Sequence, residues 1–176
     1  TQLVVGAARE SDADILRSAS WLYGNLGLSR VYYSAFQPQA DTPLSDIPPT
    51  PALREHRLYQ SDFLLRQYGF KFEELAFDDS GFLSLAADPK TAWAMGHPQF
   101  FPLEVNRAEW EQLVRIPGIG PKSAVQLMKA RKTGRVRTLR DLKQLGAEAD
   151  RAAPFVLLDG KRPPYQLPLW DTRPVS

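Results

Sequence analysis

The 176-residue chain has no cysteine. Disulfides, thiolate nucleophiles, thiolate zinc sites and cysteine-held metal clusters are therefore excluded from this polypeptide. Histidine occurs only twice, as His56 and His97, which argues against a histidine metal site. No run of about 18 apolar residues is present, and the N-terminus lacks the basic, apolar and small-residue succession of a secretory signal. A soluble cytoplasmic protein with no membrane partner is the expectation. The hydrophobic share of 43% and the charged share of 24% exclude disorder as the main state and suffice for one sizeable core or two small ones. The chain opens on TQLVV without an initiator methionine, inside an apolar run, and so reads as a piece of something longer.

Charge is scarce overall, at a net +2, but unevenly spread. Residues 1–103 carry a net −4, residues 104–151 a net +5 and the remainder +1. Between Lys122 and Lys143 there are eight basic residues and one acid, Asp141. Such a local basic stretch suits a polyanion contact, although a solvated helix face has the same composition.

Apolar spacing predicts a strand at Leu3–Ala7, a helix at Ser11–Gly24 and a second strand at Arg30–Phe36. A helix between two strands implies a parallel right-handed crossover, with Ser11 or Asp12 as the N-cap and Gly24 or Gly27 as the exit. Two parallel strands cannot cover their own edges, so pairing with another chain or cover by the following segment is expected. That segment, residues 37–51, contains five prolines and reads as an extended connector. A helix is expected over Ala52–Tyr68, closed by Gly69, and a short one from Asp88-Pro89 to His97-Pro98. Arg54, His56 and Arg57 could face a substrate, but solvent or a neighbouring carboxylate explains them equally simply.

Most of the functional information lies in residues 108–131. Ala108–Arg115 reads as a helix, Ile116-Pro117-Gly118-Ile119-Gly120 as a tight reversal, and Pro121-Lys122-Ser123 as the start of a second helix with Ala124, Leu127, Met128 and Arg131 on one face. The two glycines should permit the turn, and Ile119 should plug the cleft between the helices. The amides opening the second helix, with its dipole, would suit phosphate. The stretch VNRAEWEQLVRIPGIGPKSAVQLMKAR resembles the helix-hairpin-helix DNA-binding motif. The resemblance implies sequence-independent contact with DNA backbone phosphates through Pro117, Gly118, Ile119, Gly120, Lys122 and Ser123, extended by Lys129, Arg131 and Lys132. The following TLRDLKQLGAEADRAAPFVLLDG resembles a degenerate second unit, with Glu148 where a glycine would stand, and is expected to be structural. Phe155–Leu158 reads as a short strand before the Asp159-Gly160 turn.

More broadly, TQLVVGAARESD, RVYYSAFQP, PALREHRLYQSDFLLRQYGF and DPKTAWAMGHPQFFPLEVNRA resemble the C-terminal half of bacterial radical SAM proteins assigned to DNA modification or repair. This resemblance implies an α+β, mainly helical fold. Residues 1–36 would be the βαβ end of a radical SAM-type barrel, 37–103 a linking region, 104–158 a double helix-hairpin-helix domain and 159–176 an extended tail. The parent proteins use a [4Fe–4S] cluster and S-adenosylmethionine. The cysteine triplet that holds the cluster is absent here, so no cofactor and no radical chemistry are expected of this chain, and Glu10 could approach the cofactor only in an intact barrel. Two other readings compete. Endonuclease III-type glycosylases carry a similar hairpin with a lysine nucleophile, a position Lys122 matches, and would need an aspartate such as Asp141; yet Thr138-Leu139-Arg140-Asp141 has the form of a helix cap. Alternatively, the hairpins and the apolar tail Pro163–Trp170 could form a protein interaction module.

Overall fold

The computed structural model describes residues 1–165. The chain forms two compact units, residues 1–97 and residue 98 onward. Both mix helix and strand, with helix predominant. The proposed docking tail, Pro163–Trp170, lies largely outside the described residues, as does most of the tail expected over 159–176.

In the first unit, β1 (Gln2–Val5) and β2 (Tyr32–Ala35) pair in parallel, with Val5 opposite Ala35, and α1 (Asp12–Leu26) connects them. Ser11 caps α1 in a reciprocal box with Asp14, and Gly27 ends the helix in the left-handed region at φ 61°. Val5, Ile15, Leu16, Ala19 and Val31 are buried.

The outer edge of β2, expected to meet another chain or the proline-rich segment, is covered within this chain. The helix α2 (Ala52–Gln67) covers it with side chains. The Tyr59 hydroxyl accepts from the Tyr33 amide and donates to the Tyr33 carbonyl, both at 3.0 Å, and Glu55 accepts from the Ala35 amide at 2.7 Å. These side chains occupy positions that a neighbouring strand would otherwise fill. The proline-rich segment instead contributes Thr50, whose hydroxyl donates to the Val5 carbonyl at 2.7 Å and whose amide donates to the Phe36 carbonyl at 2.9 Å.

Beneath α2 lies a polar core. Asp62, fully buried, accepts from the hydroxyls of Tyr23 and Tyr33 and from Arg66. Burial, together with the bond to this carboxylate, pushes the Tyr23 hydroxyl up to about 12, and burial likewise raises Tyr33. The last helix of the unit, α3 (Pro89–Gly96), starts at an Asp88 cap and carries Trp93 into the core against Phe70. His97 ends it, stacking on Trp93.

In the second unit, β3 (Leu103–Glu104) pairs in parallel with β4 (Val156–Leu157) and brings the two ends of the unit together. Between them run α4 (Trp110–Leu113), α5 (Pro121–Ala130), α6 (Leu139–Gln144) and α7 (Ala149–Ala152). The core contains Val105, Leu113, Val114, Ile116, Ile119, Leu127, Leu142 and Val156. The strand expected at 155–158 forms, but its partner β3 does not announce itself in the sequence. The helix expected over Ala108–Arg115 is shorter, because Arg115 and Ile116 donate to carbonyls three residues back and tighten the chain into the hairpin.

Candidate nucleic-acid interface

Gly118 has φ +82°, a region that disfavours any side chain. A Cβ there would also lie 2.4 Å from the Glu148 carbonyl oxygen and 3.1 Å from the Ala152 nitrogen. Glycine is therefore required twice over, by the turn and by a close neighbour. Gly120 differs from the expectation that both glycines permit the turn. It is the N-cap of α5 with φ −92° and ψ 172°, extended backbone open to any residue. What glycine does provide there is the absence of a side chain over the first turn of α5.

Pro121 occupies the first position of α5, where its missing N–H costs no bond. Gly120 supplies no side-chain cap, so the first-turn amides of Lys122 and Ser123 have no side-chain acceptor from the N-cap. Such an end favours an anion through both its N–H groups and its dipole. Lys122 is exposed beside it, as are Lys129 and Lys132 further along. Ile119 is fully buried, and Pro117 is buried with it.

Two of the expected phosphate ligands have other employment. The Ser123 hydroxyl donates to the Gly146 carbonyl at 2.7 Å. The Arg131 guanidinium donates to the carbonyls of Ala108 and Val105 at 2.6 and 3.4 Å, holding the segment before α4 against the end of α5. Both side chains build the site from behind. Asn106, which sequence reasoning passed over, completes this buttress: its side chain donates to the Val136 carbonyl and accepts from the Val136 amide, at 2.9 and 2.8 Å, as a strand residue would.

The second half of the unit repeats the first. Gly146 has φ +82°, matching Gly118, and Ala147 is buried where Ile119 is buried. The two turns are bonded to one another: the Glu148 amide donates to the Gly118 carbonyl at 2.8 Å, while Ser123 bonds Gly146 in return. At the start of α7 stand Glu148 and Asp150, so this turn repels the anion that the first one suits. The helix α6 opens with a capping box in which Thr138 accepts from the Asp141 amide, and Asp141 accepts from the amides of Arg137 and Thr138 at 2.9 and 3.0 Å. The Arg137 amide leads the bonds that hold the Asp141 carboxyl below its usual value. Asp141 is thus engaged in capping and not presented as the aspartate of a glycosylase.

Arg54, Arg57 and Glu10 are engaged in internal contacts. Arg54 bonds Asp12 at 2.7 Å and the Glu10 carbonyl at 2.7 Å, and Arg57 bonds the carbonyls of Ser84 and Leu85. His56 is exposed. The Glu10 carboxylate closes its own loop on the amides of Gly6 and Ala8. Among the described residues, no group of three or more histidine, aspartate or glutamate side chains could hold a metal ion, and no helix is long and apolar enough to cross a membrane.

Two helices joined by a glycine hairpin, with a bare helix N-terminus and a flanking lysine, define a helix-hairpin-helix module, and this motif supports nucleic-acid binding. In comparison with known families, the model of the helix-hairpin-helix motif matches residues 102–147. No curated protein and no solved structure matches the chain. The match spans the hairpin unit and gives the wider radical SAM resemblance no support.

Proposed function

We propose that the chain binds DNA through its backbone phosphates, without reading sequence, at the hairpin between α4 and α5. The observation that carries this reading is the uncapped start of α5 beside the exposed Lys122, within the matched motif. The backbone amides of Gly118, Gly120, Lys122 and Ser123 would meet phosphate oxygens, and Lys122 would neutralise their charge; Pro121 has no N–H, and the Ile119 amide is already bonded to the Ile116 carbonyl. Lys129 and Lys132 would follow the same strand, while Pro117, Ile119, Ser123 and Arg131 hold the hairpin in shape. Phosphate contacts position a protein without selecting bases, so weak and strongly salt-dependent affinity is expected. The resemblance of nearly the whole chain to radical SAM proteins of DNA modification or repair suggests a parent enzyme for which this module would grip the substrate. No catalytic residue is proposed for the chain itself.

Fluorescence anisotropy with oligonucleotides of unrelated sequence, at several salt concentrations, tests this. Lys122→Ala should weaken binding by about 1 kcal/mol and reduce the salt slope by roughly one. Unchanged affinity and slope in that variant would place the interface elsewhere.

A further inference from the structure

A second site lies in the same unit, at the other end of α6. After β4 the chain turns back at Asp159-Gly160, both with positive φ, 53° and 78°, so the reversal is a two-residue turn of the type that closes tight hairpins. Leu158 and Lys161 bond each other across it at 2.9 and 3.2 Å, and the Gly160 amide donates to Glu104 at 2.6 Å. The turn is therefore fixed at its base and its tip. It forms one wall of a cavity of about 360 Å³ whose other wall is the start of α6.

The chemistry of that cavity is two-sided. Leu139, Leu158 and Pro163 supply apolar walls, and Arg137, Lys161 and Arg162 supply cations. Among the described residues, no carboxylate lines it. Lys161 and Arg162 are exposed, and Arg137 reaches Asp159 only at 3.5 Å with a guanidinium that is mostly in solvent. An apolar slot rimmed by three cations complements a flat apolar ring joined to an anion. Its volume is at the small end for ligand sites, enough for one nucleotide and too little for a base pair. A base inside a duplex would have to leave its stack to enter, at a cost of a few kcal/mol. An unpaired base escapes that cost.

We infer that this cavity takes one unpaired nucleotide of a DNA strand, its base against Leu139, Leu158 and Pro163 and its phosphate among Arg137, Lys161 and Arg162. The site makes the module favour single-stranded or locally opened DNA over intact duplex. This rests on the DNA reading above. The helix α6 connects the two contacts: Leu139 at its start borders the cavity, and Gly146 just past its end bonds Ser123 of the hairpin. Seven residues of helical rise place Leu139 and Gly146 about 10 Å apart. A single strand can bridge that distance within a few nucleotides.

The test uses the full chain and a short oligonucleotide carrying 4-thiothymidine, as a single strand and annealed to its complement. Irradiation followed by mass spectrometry should give cross-links within residues 158–164 for the single strand and none there for the duplex. The double variant Lys161→Ala/Arg162→Ala, altered only at exposed positions, should lose about tenfold in single-strand affinity and threefold or less in duplex affinity. Cross-links confined to residues 117–123, or equal losses on both substrates, would overturn the nucleotide site and leave the hairpin reading standing. Cross-links at residues 158–164, together with a Lys122→Ala variant that binds like the parent, would uphold this site and remove the hairpin from the interface. Absence of binding to either substrate would overturn both.

Discussion

The two glycines of the hairpin look equivalent in the sequence and are not. Gly118 is held by its positive φ and by the backbone of residues 148–152, so Gly118→Ala must move the second turn away from the first. Strain of this kind, added to a backbone collision, should cost about 2 to 4 kcal/mol. Gly120→Ala requires no change of backbone conformation and should cost less than about 1 kcal/mol, while its methyl group crowds the phosphate position. Urea denaturation beside anisotropy separates the two: the first variant should lose stability and the second mainly affinity. Comparable stability losses would mean that Gly120 is as constrained as Gly118. Arg131 illustrates why such differences escape a sequence reading. Composition marks it as a cation near a phosphate, but its partners, Ala108 and Val105, lie more than twenty residues earlier, and no local pattern encodes that pairing.

At the scale of elements, caps and periodic helices were legible and edges were not. Ser11, Gly27, the Asp88 cap and the Thr138–Asp141 box all stand where cap chemistry puts them, because capping is decided within four residues. The strand β3 has two residues and no period to detect, and it pairs with a strand more than fifty residues later. The cover of β2 by α2 was equally hidden, since no local pattern ties the Tyr59 hydroxyl to a strand residue 26 positions earlier. Tyr59→Phe should leave the Tyr33 amide and carbonyl without that partner and cost about 1 to 3 kcal/mol in chemical denaturation of the first unit. No loss would show that water replaces the hydroxyl at no cost. The polar core beneath α2 makes a second prediction. Because Tyr23 and Tyr33 hold their protons more tightly when folded, the stability they contribute is complete below pH 10, the ordinary tyrosine value, and is lost as pH rises towards 12. Denaturation midpoints should therefore fall across that alkaline range, and Tyr23→Phe should lessen the fall. A midpoint independent of pH there would contradict the buried network.

For the whole molecule, charge distinguishes the two units. The first carries the acidic excess and pairs Arg54 and Arg66 with buried carboxylates, whereas the second leaves Lys122, Lys129 and Lys132 in solvent. Exposed carboxylates at Asp41, Asp46 and Asp79 lie in the acidic unit. Replacing all three with asparagine should leave the salt slope of DNA binding unchanged, because that slope counts cations in contact with phosphate. A steeper or shallower slope would mean that the first unit shares the interface.

The reciprocal bonds between the two turns, Glu148 to Gly118 and Ser123 to Gly146, bear on how quickly the protein can let go. A loop that becomes ordered only on its ligand gives up conformational freedom at each encounter and must regain contacts to compensate. The hairpin is instead clamped in advance by a partner turn that is itself unsuited to phosphate. Encounters with the proposed phosphate ligand should need no rearrangement, so association should be set by diffusion and charge and residence times should be short. Rapid exchange along a polyanion is thus the kinetic behaviour expected of the proposed phosphate contacts.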